Sequence, residues 1–453
     1  MNTFLPRQAM LEIVLLLGMA VFPSPIAAAS QKSRGAESQD EKKDMSRRFR
    51  FVFNNNPSLR FGKVLRIDLR AKFQSDFRSF SPELSTKAGI FDLHRARIGI
   101  VGNFLKHFEY EAEYELSDVL RPLDEAGDDA TSSNRWRDVY VNFAYFKDYQ
   151  VKAGKFKVPF SLDQLTGPSR LDFVYRSRIG DILAPARDLG LMVHGRFFKR
   201  GLNYEAGLFE RDGENARYGI NPGAERTFAG RLTGTPLRLL AVPGVLKSAE
   251  LGVAFTSSTV PEGAKGIRGR TVAHKRFFPL PGDAMFVHGE RLRVGTELSW
   301  TPGPFSLKGE FIHFRDERLG QSLRQTDLPD LISRGWYLSG TWAVTGERKA
   351  SGIEPRRDFL RGGGIGAIEL AIRSEQIRFG SSGHPGLPLR NQRAPNILPA
   401  SDRVWTFGVN WYLNRWLKVQ FNGVREKIED TVRGPIPGED LLWTRVLRLQ
   451  VVM

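Results

Sequence analysis

Alternation at a period of two constrains this chain more than any other feature. In "VLRIDLRAKFQ" (Val64–Gln74), Leu65, Ile67, Leu69, Ala71 and Phe73 alternate with Arg66, Asp68, Arg70, Lys72 and Gln74. Such a segment is a strand with one apolar face and one charged face. The pattern returns in "HRARIGIV", in "FEYEAEYEL", where Glu109, Glu111, Glu113 and Glu115 share a face, and in "RDVYVNFAYF". Sixteen segments read as strands, near 64–77, 92–104, 108–118, 135–146, 150–157, 188–198, 203–210, 226–234, 249–257, 290–301, 304–315, 335–345, 366–378, 404–413, 416–428 and 442–453. No helix-period segment of useful length competes with them.

A soluble sandwich would alternate too, so the choice rests on connections and aromatics. Short turns such as Pro302–Gly303 and Asn414–Arg415 alternate loosely with long loops such as Val158–Arg187 and Ser258–Gly289. Short turns at one end and long loops at the other are the signature of an outer-membrane barrel. Trp336 and Trp342 lie six apart on one strand face, as do Trp405 and Trp411. Six residues span about 20 Å, close to the separation of two interfacial aromatic girdles. The expected fold is an all-β, sixteen-stranded antiparallel transmembrane β-barrel. In such a barrel the apolar face meets outer-membrane lipid and the polar face lines the lumen. Arg66, Arg70 and Lys72 are then candidate pore-lining cations, with only Asp68 on their own face. Arg291 and Arg293 in "ERLRVGTEL" are weaker candidates of the same kind. The closing strand agrees, with Trp443, Leu447, Leu449, Val451 and Met453 opposite Arg448 and Gln450.

The N-terminus sets the compartment. Arg7 precedes an apolar run from Ile13 to Phe22, followed by Pro23, Pro25 and "AAAS". A basic start, a short apolar run and an A-x-A site describe a secretory signal peptide, expected to span 1–29 and be cleaved after Ala29. Residues 30–58 read as a flexible polar segment ending in a turn at Phe53–Ser58, and 59–453 as the barrel domain. There is no cysteine, so stability must come from packing or from a closed sheet. The net charge of +17 would suit nucleic acid in a cytoplasmic protein. In an exported one it points to small anions or an acidic surface, not to nucleic acid.

Several segments resemble the phosphate-selective porin O and P family: "GKFKVPFSLDQLTGPSRLDFVYRS" (Gly154–Ser177), "PARDLGLMVHG" (Pro185–Gly195), "LHRARIGIVGNF", "TGERKA" (Thr345–Ala350), "GAIELAIR" (Gly366–Arg373) and "FGVNWYLNRWLKVQFN" (Phe407–Asn422). The resemblance implies a sixteen-stranded barrel, a homotrimer, and a third long loop folded inward as a constriction. It also implies an anion site. Carried over by motif, its basic pair falls on His94 and Arg95, its Asp on Asp138, and its loop positions on Gln164 and Arg170. His94 replaces a fixed charge with one that titrates near neutrality, and Gln164 carries no charge. The loop itself carries Arg170, Arg176, Arg178 and Arg187 against Asp163, Asp172 and Asp181. Arginine suits phosphate because its planar fork donates two hydrogen bonds to two oxygens.

The expected function is passive diffusion of phosphate or similar small anions. Two alternatives stay open: a general diffusion porin with weak selectivity, and a structural or adhesive barrel. Arg95 and Arg97 stand beside the strand of four glutamates, so they read equally well as wall ion pairs. Loop arginines paired with loop aspartates would anchor the loop without binding solute. An enzyme is not expected: G-x-S-x-G, H-E-x-x-H and the phosphate-cradling G-x-x-x-x-G-K-[ST] are all missing, and the seven His are scattered. No cofactor or metal is expected.

Overall fold

The computed structural model describes residues 49–453 except 55, 83–90, 118–134, 199–200, 214–224, 274–275, 279–284, 350–351, 360–362, 384–386, 388, 390, 392, 430–435 and 437. The expected signal peptide and most of the polar segment after it lie outside the described residues.

All sixteen segments form strands of one wall: β1 (Leu65–Ser81), β2 (Phe91–Phe104), β3 (Phe108–Glu115), β4 (Trp136–Phe143), β5 (Gln150–Lys157), β6 (Arg187–Phe197), β7 (Leu202–Phe209), β8 (Glu225–Gly234), β9 (Glu250–Lys265), β10 (Phe286–Trp300), β11 (Phe305–Arg318), β12 (Leu328–Ala343), β13 (Ala367–Ser381), β14 (Ala400–Tyr412), β15 (Leu417–Ile428) and β16 (Leu441–Val452). Each pairs antiparallel with its neighbours, and β16 returns to β1 with Gln450 opposite Gln74. Closure leaves no bare edge along the wall, so backbone groups that lipid could not satisfy are paired internally. The alternation sorts as expected. In β16, Leu447, Leu449 and Val451 face outward while Arg448 and Gln450 are buried inside. Trp336, Trp342 and Trp405 also face outward, as the aromatic spacing predicts.

Strand length varies around the wall. β3, β4, β5 and β7 have 8 residues each, whereas β9, β10 and β12 have 16, 15 and 16. At a tilt near 40° these correspond to heights of about 20 and 40 Å. The wall is low on one side and tall on the other.

The first strand has an unexpected neighbour. Where the sequence suggests a flexible segment and a turn at Phe53–Ser58, the chain is extended as two short strands, Phe49–Asn54 and Asn56–Phe61. The second pairs with Leu65–Asp68 of β1 through a turn at Gly62, whose φ of 55° favours glycine. Met453 pairs with Ala71, and the Asn56–Phe61 strand satisfies the N–H and C=O groups of β1 on the Leu65–Asp68 side of that pair.

The core sits inside the barrel. The connection 158–186 carries helix α1 (Leu162–Leu165), capped by Ser161, and helix α2 (Arg178–Ile182), capped by Ser177. Its Phe160, Ile179, Ile182 and Leu183 pack with Val287, Ile312, Phe314, Ile377 and Phe379, inward residues of β10, β11 and β13. Polar side chains of the tall wall hold its backbone: Arg448 donates to Val174 O at 2.9 Å, Asn410 to Asp172 O at 2.8 Å, and Gln450 to Ser169 O at 3.1 Å. The loop therefore crosses the lumen and seats on the far wall. The Asp172 carboxylate joins Lys308 of β11 at 2.8 Å and Lys349 at 2.6 Å. Lys349 belongs to the 344–366 connection, which lies at the short-turn end yet reaches inward.

Candidate functional site

Crossing to the tall wall, the loop leaves an open cavity against the low wall. β2 contributes His94, Arg95 and Arg97, and β3 contributes Glu115. Arg137, Lys157 and Arg187 come from the ends of β4, β5 and β6, and the loop adds Gln164, Arg176, Arg178 and Asp181. The lining thus holds seven fixed cations against two carboxylates. Among the residues singled out from sequence, His94, Arg95, Arg97, Glu115, Gln164, Arg176, Arg178, Asp181 and Arg187 meet here. Asp138 and Arg170 do not. Asp138 stands behind the lining, where it accepts from Arg187 Nε at 3.0 Å and a terminal nitrogen at 2.6 Å. Arg170 is exposed on another side of the loop.

The cations differ in how far they are already neutralised. Arg97 binds Glu115 at 2.5 Å and Glu113 at 2.8 Å, which supports its wall-pair reading. Arg178 lies 3.8 Å from Asp181, and its backbone N–H donates to Glu375 at 2.5 Å. Burial would lower the Arg178 guanidinium, but Asp181 and Glu375 hold it above its ordinary value. Lys157 donates to the carbonyls of Gln164, Leu165 and Thr166 at 2.6, 3.1 and 3.2 Å, closing the end of α1. Arg95 and Arg176 are different. Arg95 donates at 2.5 Å to Gln74 Oε1, a neutral group held in turn by Gln450. Arg176 donates at 2.8 Å to Thr166 O, and its other terminal nitrogen is buried without a partner. Neither has a carboxylate partner within ion-pair reach among the described residues. Burial, with Arg187 and Arg97, outweighs the more distant Asp163 and Asp181 carboxylates and lowers the Arg176 guanidinium below its ordinary value. A site so crowded with like charge gains free energy when an anion enters.

The five pore-lining candidates are ion-paired, and two of them, Arg291 and Arg293, are buried. Arg66 pairs with Asp68 at 2.9 Å, Arg70 reaches Glu111 at 3.5 Å, and Lys72 binds Glu113. The glutamates lie two strands away, beyond the reach of a reading confined to one strand's face. The register places Gly99 of β2 between Arg70 and Glu113, so a long side chain passes over β2 unobstructed. Arg291 and Arg293 point inward but are sealed in. Arg291 holds Asp316 at 2.5 Å and Asp212 at 2.7 Å, while Arg293 holds Asp212 at 2.5 Å and donates to Leu183 O at 2.7 Å. They fasten the loop to the wall. Sequence reasoning also missed Arg137 and Lys157. Lys157 directly precedes the loop in "GKFKVPF", the one signal that could have found it.

A closed barrel with an apolar outer face, a charged interior and a loop crossing it defines an outer-membrane porin, a channel protein. The chain belongs to the phosphate-selective porin O and P family, whose model matches residues 67–435. It is 25% identical over 309 residues to an uncharacterized protein of Caulobacter vibrioides, a match covering 65% of this chain and 57% of that protein. Among solved structures, outer-membrane expressed OmpT of Vibrio cholerae superposes with a TM-score of 0.53 at 9% identity, covering 89% of this chain and all of that one. The anion-selective porin from Comamonas acidovorans gives 0.52 at 12% identity, covering 86% of this chain and all of that one. At these identities the likeness is one of fold.

Proposed function

We propose that the protein is an anion-preferring porin that passes phosphate or similar small anions by passive diffusion, with the 158–186 loop as its constriction. The observation that carries this reading is the pair Arg95 and Arg176, two cations without a carboxylate partner in reach on facing sides of the cavity. An anion leaving water there exchanges its hydration for guanidinium donors. Arg97, Arg137, Lys157 and Arg187 surround the pair with charge already committed elsewhere, so they raise the local potential without gripping the solute. A pore needs such moderate sites, because an ion bound too tightly does not leave. His94 and Gln164 lend the cavity less fixed charge than two further cations would, which favours a broad anion preference over tight phosphate selectivity.

We further propose a homotrimer with the low wall of β3, β4, β5 and β7 at its centre. A wall about 20 Å high falls short of the apolar band of about 25 Å, and subunit contact would cover it. The residues cast in these roles are testable together by conductance in a planar bilayer. The expected result is Cl⁻ over K⁺ permeability and a current reduced by added phosphate. Cation preference would refute the anion reading, unblocked Cl⁻ current would leave a general porin, and no conductance would favour a structural barrel.

A further inference from the structure

The connection between β8 and β9, residues 235–249, departs, as 344–366 does, from the brief turns at its end of the barrel. Those at 301–304 and 413–416 are brief, as short periplasmic turns are. This one is fifteen residues long and reads "TPLRLLAVPGVLKSA". Its Leu239 is 90% exposed, with Leu240 and Val245 at 54% and 53%. A hydrogen bond fixes where it lies. Trp300 shares the outward face of β10 with Val294 and Leu298, and its indole N–H donates to Val245 O at 2.9 Å. The connection therefore folds onto the outside of the wall, and not into the lumen. Leu251 and Val253 of β9 face outward beside it, so its leucines continue the lipid-facing band. Arg238 and Lys247 flank the apolar residues, placed to meet phosphate groups.

We propose that residues 235–249 form an interfacial anchor, with Leu239, Leu240 and Val245 inserted at the headgroup–acyl boundary of the periplasmic phospholipid leaflet. The pattern of apolar residues between basic ones, beside an interfacial tryptophan, is the chemistry of that boundary. β9, into which the connection leads, and β10, whose Trp300 holds it, belong to the tall wall, away from β3, β4 and β5 of the low wall assigned to subunit contact. The anchor does not depend on what the pore conducts.

The chain has no cysteine, so Leu239→Cys carries a single bimane label. The labelled full-length protein is reconstituted in phosphatidylethanolamine–phosphatidylglycerol vesicles, with Leu323→Cys, 90% exposed on a loop at the opposite end, as the aqueous reference. Lipids brominated on the acyl chain should quench the label at 239 at least twofold more than at 323, and iodide should quench it at least twofold less. Iodide quenching equal to that at 323, without quenching by brominated lipid, would place the connection in water and overturn the proposal. Protection from both quenchers would mean that a second copy covers it, and would overturn it equally. Leu240→Cys reports on the same segment should Leu239→Cys fail to fold.

Discussion

Replacing both Arg95 and Arg176 by glutamine removes two cavity cations that have no carboxylate within ion-pair distance among the described residues, and keeps hydrogen-bonding groups in their place. A permeating ion about 4 Å from one guanidinium feels about 1 kcal/mol in bulk water, and about 4 kcal/mol at an effective dielectric of 20. The water value is the conservative one for a wet passage. Counting only the nearer of the two charges, the double variant raises the anion barrier by about 1 kcal/mol and lowers the cation barrier by as much. The difference of about 2 kcal/mol is a roughly thirtyfold fall in the Cl⁻/K⁺ permeability ratio. Screening does not erase this in 0.1 M salt, where the Debye length of about 10 Å exceeds the contact distance. The assay is the zero-current potential across a tenfold KCl gradient, with heat-modifiable gel migration to confirm folding. A folded double variant that keeps the parent's zero-current potential would refute the claim that these two charges select the ion.

Other substitutions separate anchoring from conduction. Arg170→Glu should leave the zero-current potential within a few millivolts of the parent, because Arg170 lies outside the cavity; a shift matching that of the Arg95/Arg176 double variant would contradict this placement. Asp212→Asn leaves Arg293 without its carboxylate while Arg291 keeps Asp316, and losing one partner of a buried ion pair costs about 3–5 kcal/mol, so its unfolding midpoint in urea should drop with little change in selectivity. Burial works against the Asp172 carboxylate, but Lys349 and Lys308 outweigh it and hold its pKa well below the usual range. A depressed folded pKa means this anchor is fully present above the unfolded value near 4 and is lost only as pH falls through the depressed one. Current noise in the parent should therefore be alike at pH 7 and pH 4.5, whereas Asp172→Asn should be noisy at both. In Gly335→Leu the new Cβ would clash with the Gln376 carbonyl oxygen of β13 and lie 2.6 Å from Ile179 Cγ2, so the wall and α2 must both shift; the unfolding midpoint in urea should drop and single-channel conductance should change.

The wall was legible because each strand reports on itself. A period-two pattern needs no knowledge of its neighbours, so the sixteen segments could be found singly, and errors stayed at strand ends such as Leu328 and Lys265. The site was legible only where position follows from the strand itself, as for Arg95 and Arg97. Whether a cation is available to solute depends on what lies across the lumen. The pairing of Arg70 was missed because Glu111 stands two strands away. That of Arg293 was missed because Asp212 arrives from a loop 81 residues upstream. The Asn56–Phe61 strand was missed for the same reason, since an edge left open near Ala71 is a property of the closed barrel and not of "NPSLRF".

The seating of the loop has a temporal consequence. Its partners on the tall wall lie far downstream, from 110 residues for Leu183 with Arg293 to 281 for Ser169 with Gln450. Contacts of such separation are slow to form, since each waits for the chain between to be ordered. Residues 158–186 are made early yet have nowhere to dock until β10 to β16 have joined the wall. The seat of the loop is thus assembled last, and a barrel halted before its final strands would lack it even where most of its wall stood complete.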